Sequence, residues 1–118
     1  MKKLTLLLFL FLSTSTCFAG NLVHPLDFNG SEVEKERVLS YIQHDVKETY
    51  SAIGMGDPST LRMMESEELN SFKQLTKVNN RKLLDNVINK YCSIGMCNYS
   101  TILMMYKEQE SASNKKLQ

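Results

Sequence analysis

The chain contains the stretch YSAIGMGDPSTLRMM at residues 50–64, which returns without a gap as YCSIGMCNYSTILMM at residues 91–105, a shift of 41 positions. Eight of the fifteen aligned positions are identical. Asp57 against Asn98 is a physically equivalent exchange, since either residue caps the start of a helix. This density of matches indicates an internal repeat.

Each copy carries the signals of a helix that ends, turns and starts again. Gly54 and Gly95 suit the left-handed position that closes a helix, which side chains with a Cβ enter only at a steric cost. Asp57 and Asn98 follow three residues later as N-caps of the next helix. Upstream residues also align, Ile42 with Leu83 among them. The repeated unit is therefore predicted to be a whole helical hairpin.

Further signals give the number and limits of the helices. Ser31 and Glu34 form a capping box, which marks the start of the first helix, and Asn80 is a fair cap for the third. Apolar residues recur at three- and four-residue steps between these signals, and those of the first helix are expected to form one apolar stripe: Val38, Leu39, Ile42, Val46, Tyr50 and Ile53. The sequence therefore predicts an all-α, four-helix domain over residues 31–108, built from two repeated hairpins at about 38–66 and 79–107.

The first nineteen residues have the pattern of a cleaved secretory signal peptide. Lys2 and Lys3 precede the apolar run Leu4 to Leu12, which is too short to span a bilayer, and a small-residue stretch ends at Ala19. We expect cleavage after Ala19, in preference to acylation on Cys17. The compact basic start favours a bacterial protein of the periplasm or the medium, with no transmembrane segment in the mature chain.

The two ends of the mature chain lack helical periodicity. Residues 20–30 are expected to form an extended, partly packed arm. Residues 109–118 are polar and have almost nothing to bury, so we expect a disordered tail.

Charge excludes one class of function. The chain has 14 basic and 13 acidic residues, and loss of Lys2 and Lys3 leaves 12 against 13. A nucleic-acid-binding domain of this size needs a basic excess on one face. We expect no nucleic-acid partner.

Cys92 and Cys97 are an even pair of thiols in an oxidising compartment, which predicts a structural disulfide. Their spacing differs from the Cys-x-x-Cys of redox enzymes. The sequence also has no histidine placed to activate either thiol as a nucleophile. The first repeat has Ser51 and Gly56 at the corresponding positions. We therefore expect a disulfide to staple the turn of the second hairpin, whereas the turn of the first hairpin has none.

The methionines are the candidate partner surface. All except the initiator lie inside the repeat, at Met55, Met63, Met64, Met96, Met104 and Met105. Three interpretations compete: methionine as filler of an irregular core, an adaptable apolar surface for a partner, and thioether ligation of Cu(I). Consecutive methionines point about 100° apart on a helix, so both members of a pair cannot face one narrow core.

The titratable residues give no catalytic or metal motif. His24 and His44 are the only imidazoles, and His44 is predicted to be a solvated helix residue. The acidic cluster Glu65, Glu67 and Glu68 is predicted to be a solvated face, since no apolar surroundings for a paired acid and base are evident. We expect no catalytic residue, no metal site and no cofactor.

The functional hypothesis is an exported, non-enzymatic binding or accessory protein of the bacterial envelope, such as an inhibitor, immunity factor, small chaperone or secretion-system component. Its partner is expected to be another envelope protein, and self-association stays open. The alternatives are a small periplasmic hydrolase using acidic residues near Glu65, and a Met-rich protein that handles Cu(I).

Overall fold

A computed structural model describes residues 21–115, and these residues form four α-helices without a strand. The helices are α1 (Glu32–Ser51), α2 (Pro58–Leu75), α3 (Arg81–Ser93) and α4 (Tyr99–Ser113). A 3₁₀ helix, Pro25–Asp27, precedes them. Within the described range, no helix has both the length and the apolar character needed to cross a bilayer. The predicted all-α fold is confirmed, whereas the predicted signal peptide at 1–19 lies outside the described residues.

The helices pack as two hairpins joined along one seam. α1 packs on α2 and α3 packs on α4, and the two hairpins meet chiefly between α2 and α4. α2 and α4 are the equivalent helices of the two repeats. The seam therefore joins the same element of each copy.

The turns that close the hairpins have the same hydrogen bonds. The amide of Met55 donates to the carbonyl of Tyr50 at 2.8 Å, and that of Met96 donates to Tyr91 at 2.9 Å. The glycine between them has a positive φ, 78° in one turn and 80° in the other. This is the glycine-closed helix end that the repeat predicts.

The next helix also begins in the same way in both copies. The Asp57 side chain accepts from the Thr60 amide at 2.9 Å, and the Asn98 side chain accepts from the Thr101 amide at 2.8 Å. The repeat read from the sequence is therefore a structural repeat of two hairpins.

Apolar side chains from all four helices form one core. Tyr99, Leu75, Leu84 and Ile102 are fully buried. The complete set of buried apolar residues in the described helices is Val38, Tyr41, Ile42, Val46, Phe72, Leu75, Leu84, Val87, Tyr99, Ile102, Leu103 and Tyr106.

Leu39 and Ile53 depart from the expected apolar stripe of α1, since both are exposed. Leu39 lies at the edge of the face that α2 covers, beside a cavity lined by both helices. Ile53 lies beyond the last helical residue, Ser51, where the chain has left the helical path.

The end of α4 corrects the predicted tail. The helix runs through Ser113 instead of ending before residue 109, so the prediction of disorder over 109–113 is wrong. Lys107, Glu108, Gln109 and Glu110 are good helix formers, and a helix already started extends through such residues without needing an apolar face. Residues 116–118 lie outside the described part.

The N-terminal arm is irregular apart from its 3₁₀ helix, and it is tied to the helices. Arg81 of α3 forms two hydrogen bonds with the carboxylate of Asp27, at 2.7 and 2.8 Å. The Tyr99 hydroxyl donates to the carbonyl of Val23 at 2.9 Å, and the ring of Phe28 meets Phe72 edge to face. The arm therefore covers part of the seam.

Cys92 and Cys97 form the predicted disulfide, with their Cα atoms 4.1 Å apart. It joins the end of α3 to the residue before the N-cap of α4 and encloses the turn at Gly95. The second hairpin is stapled and the first is not, as the sequence predicts.

Replacement of either turn glycine by alanine should lower the free energy of unfolding by about 1–2 kcal/mol, because alanine in the left-handed region is strained. A Cβ at Gly54 or Gly95 would meet nothing within 4 Å, so the loss should come from the backbone alone and be similar in both hairpins. Urea unfolding measures it. Asparagine at either position is the control and should cost less. A glycine that accepts alanine without loss would show that its turn is not closed as described.

Replacement of both Cys92 and Cys97 by serine should lower the free energy of unfolding by about 2 kcal/mol, because the short closed loop no longer restricts the unfolded chain. For a domain of this size the melting temperature should fall by roughly 8–16 °C. Calorimetry of wild type under reducing conditions should show the same fall. A double variant that melts with the oxidised wild type would contradict the stabilising role of the bond.

Candidate partner-binding surface

The ends of the two hairpins expose the same apolar side chains. We call residues 52–57 the first tip and 93–98 the second tip. Ile53 and Ile94 are 65% and 62% exposed, and Met55 and Met96 are 46% and 44% exposed. Both tips follow the same backbone path, so the two pairs of side chains leave their turns at equivalent positions.

The six candidate methionines divide in the same way in each copy. Met63 and Met104 are 63% and 56% exposed, whereas the next residues, Met64 and Met105, pack against the core. Adjacent residues on a helix point about 100° apart, which explains the split. Met64 and Met105 are therefore partly buried and contact the core, and the more exposed set is Ile53, Met55, Met63 and Ile94, Met96, Met104.

Charged residues are almost absent from the two tips and the residues next to them in the chain, whereas Arg62 and Lys107 lie near Met63 and Met104. Residues 91–106 contain none, and residues 49–61 contain only Asp57. The Asp57 carboxylate is engaged as a cap, accepting from both the amide and the hydroxyl of Thr60. Depletion of charge together with enrichment of methionine is typical of the centre of a protein–protein interface.

The second tip is anchored to the rest of the domain. The hydroxyl of Tyr41 in α1 donates to the carbonyl of Cys97. The carboxylate of Glu68 in α2 accepts from the amides of Tyr99 and Ser100 at 2.7 and 3.1 Å. With the disulfide, these contacts fix the exposed side chains of the second tip on a rigid base.

Among residues 21–115 no comparable side-chain anchor reaches the first tip, and every residue from 51 to 59 is exposed. Its backbone nevertheless has the geometry of the stapled turn. A Cβ built on Gly56 would lie 3.3 Å from the Cβ of Ser51, and these are the positions that carry the two cysteines in the second copy. The two tips thus share the hydrogen bonds of their turns and differ in restraint.

The acidic residues near Glu65 are engaged in structural contacts. Glu65 forms a two-point ion pair with Arg62, at 2.5 and 2.6 Å. Glu68 is buried and caps α4, so its predicted place on a solvated face is wrong. No local sequence pattern indicates this role, because the amides that Glu68 binds belong to residues 31 and 32 positions later in the chain.

The imidazoles have structural contacts as well. His24 accepts the amide of Leu26 at Nδ1, 3.1 Å away, so its Nε2 carries the proton that faces the Asp85 carboxylate at 2.6 Å. This ring ties the arm to α3. His44 is exposed and lies 3.3 Å from Glu48 on the same helix.

A cavity of 240 Å³ lies between α1 and α2, floored by Ile42 and Leu69 and rimmed by Arg62 and Glu65. Pockets that enclose small molecules usually measure about 300–1,000 Å³. Its polar rim is the ion pair described above, so no free catalytic group faces it from those two residues. Among residues 21–115, no group of three histidine, cysteine, aspartate or glutamate side chains is arranged to hold a metal ion.

A second staple should form in the first tip when Ser51 and Gly56 are both replaced by cysteine. Their Cβ atoms would lie near the usual disulfide spacing of about 3.5–4.5 Å, and Gly56 lacks the positive φ that would strain a cysteine. We expect no additional reactive thiol by mass spectrometry after alkylation, and a free energy of unfolding raised by up to about 2 kcal/mol. The single variant Ser51→Cys is the control. Two alkylated thiols in the double variant would show that the two turns differ in shape.

Comparisons with known proteins leave the family open: no protein-family model, no curated protein and no solved structure matches this chain.

Proposed function

We propose that this protein is an exported, non-enzymatic binding or accessory protein of the bacterial envelope, and that its two tips contact the partner. One observation carries the proposal: both hairpins expose an isoleucine and a methionine at equivalent positions of a turn almost free of charge. A buried core is available to both copies, yet neither turn folds these side chains into it.

Physical chemistry supports a protein partner. Removal of an isoleucine or methionine side chain from water contributes about 1.5–3 kcal/mol, so four such residues provide a substantial apolar contact. Methionine adapts its shape to the opposing surface, which suits a contact site. The partner is then another envelope protein whose surface offers an apolar, uncharged groove.

The contacts of two acidic residues near Glu65 support a binding role over hydrolysis, whereas Glu67, between them, is exposed. Glu65 and Glu68 are occupied by Arg62 and by the start of α4. The accessory roles that fit a domain this small are those of an inhibitor, an immunity factor, a small chaperone or a secretion-system component.

Substitution of the tips tests the proposal. Immobilised wild-type protein is incubated with envelope extract, the retained protein is identified by mass spectrometry, and the purified partner is titrated against each variant. The paired changes Ile53→Ser with Met55→Ser, and Ile94→Ser with Met96→Ser, should each raise the Kd at least tenfold, since about 1.4 kcal/mol of lost contact suffices. Their thermal stability should stay near that of wild type, because these side chains are exposed.

Val33→Ser is the matched control, since Val33 is an exposed apolar residue of α1 away from both tips. It should leave the Kd unchanged. Tip variants that bind like wild type, or a control that weakens binding equally, would contradict the proposal. Sedimentation velocity on the same proteins shows whether the partner is a second copy of the chain.

A further inference from the structure

A buried carboxylate joins the two hairpins at the start of α4. Glu68, on α2, accepts the amides of Tyr99 and Ser100, the first two residues of α4. These amides have no acceptor within their own helix, because the first turn of an α-helix leaves its N–H groups free. The contact therefore fixes α4, and the second tip before it, to the first hairpin.

A second carboxylate approaches the same place from α1. Asp45 is half-buried and lies one helical turn after Tyr41, whose hydroxyl binds the carbonyl of Cys97 and whose ring meets Tyr99 edge to face. Glu68 binds the amide of that same Tyr99. Asp45 thus lies four residues from the tyrosine that contacts this junction, and Glu68 bonds to the junction directly.

We propose that Asp45 and Glu68 form a pH-sensitive joint between the hairpins, which tightens when Asp45 takes up a proton. When both carboxylates are ionised, their negative charges repel each other in partly dehydrated surroundings. Among the described residues, backbone amides offset the burial of Glu68 but not that of Asp45. A proton on Asp45 removes the repulsion and leaves the contact of Glu68 with α4 intact.

The surroundings of Asp45 agree with this behaviour. Burial, then the charge of Glu68, then that of Glu48, raises the pKa of Asp45 to about 6, and His44 opposes the rise. Among residues 21–115 these are the charged groups that act on it. The phenols that interact with Asp45 or Glu68 are Tyr41, Tyr50 and Tyr99, and burial raises the pKa of all three, so they stay uncharged.

The direction of the effect follows from the raised pKa. The folded state binds the proton of Asp45 more tightly than the unfolded chain does, so stability increases as the pH falls through about 6 and is lost as the pH rises through it. Asp27 and Asp57 act in the opposite sense, because hydrogen bonds from Arg81 and from Thr60 lower the pKa of their carboxyls. Their effect is present above about pH 4, outside the range in which Asp45 titrates.

Urea unfolding of the purified protein at pH 5 and pH 7.5 tests the joint. We expect the folding equilibrium constant to be up to about tenfold larger at pH 5, which is the full change that a pKa of about 6 against 3.8 gives over this range, and smaller to the extent that solvent screens the half-buried Asp45. Asp45→Asn should remove most of this difference and should be more stable than wild type at pH 7.5. The comparison is made in a His44→Gln background, because Asp45 and His44 interact and the contribution of His44 would otherwise differ between the two proteins.

Glu48→Gln is the matched control, since Glu48 is an exposed carboxylate on the same helix, and it should keep most of the pH dependence. A direct readout is the titration of the Asp45 side-chain carboxyl by ¹³C NMR in the native protein. Its midpoint should lie near 6 in wild type and should fall in Glu68→Gln, where the opposing charge is gone. A midpoint near 4 in wild type, or an unchanged pH dependence of stability in Asp45→Asn, would overturn the proposal.

Discussion

The bond between the Glu68 carboxylate and the first amides of α4 is the contact on which the arrangement of the two hairpins depends. Each hairpin is closed locally by its own glycine and its own cap. Contacts within a hairpin do not determine its position on the other hairpin. Glu68 helps to determine that position, because a buried carboxylate requires hydrogen-bond donors and the free amides at the start of α4 provide them. A charged acceptor on backbone amides is also among the stronger hydrogen bonds in proteins.

Aromatic contacts surround this bond and complete the seam. Tyr99 is fully buried, and its ring meets both Tyr41 and Phe72 edge to face. Its hydroxyl holds the arm at Val23, so a single residue contacts α1, α2 and the N-terminal segment. A buried phenol needs a partner for its hydroxyl, and the arm provides it. The fold therefore converges on the residue that follows the cap of α4.

The sequence was sufficient where the deciding interactions are local. Gly54 and Gly95, the caps at Asp57 and Asn98, and the paired cysteines act within six residues of chain, so their patterns predicted the turns, the helix starts and the disulfide. The hairpin seam depends on contacts between distant residues. Glu68 stands among other acidic residues and has no local feature that marks it as buried, and the end of α4 was missed because good helix formers extend a helix without an apolar stripe.

The same distinction applies to the candidate surface. The repeat identified the methionines of the surface. Ile53, the isoleucine before the first turn glycine, was instead expected in the apolar stripe of α1, because helical periodicity assumes that the helix continues. The structure ends α1 before that residue. The two tips then differ mainly in restraint, one fixed by a disulfide and by Glu68, the other attached only through its own helices.

The hydrogen bond from the Tyr99 amide to the Glu68 carboxylate is the most direct point at which to test this description of the fold. A scalar coupling transmitted through that bond can be measured by NMR between the amide nitrogen and the side-chain carboxyl carbon. We expect the coupling at neutral pH, together with slow solvent exchange of the Tyr99 and Ser100 amides. Absence of the coupling, with both amides exchanging at the rates of an unstructured peptide, would contradict the arrangement of the two hairpins.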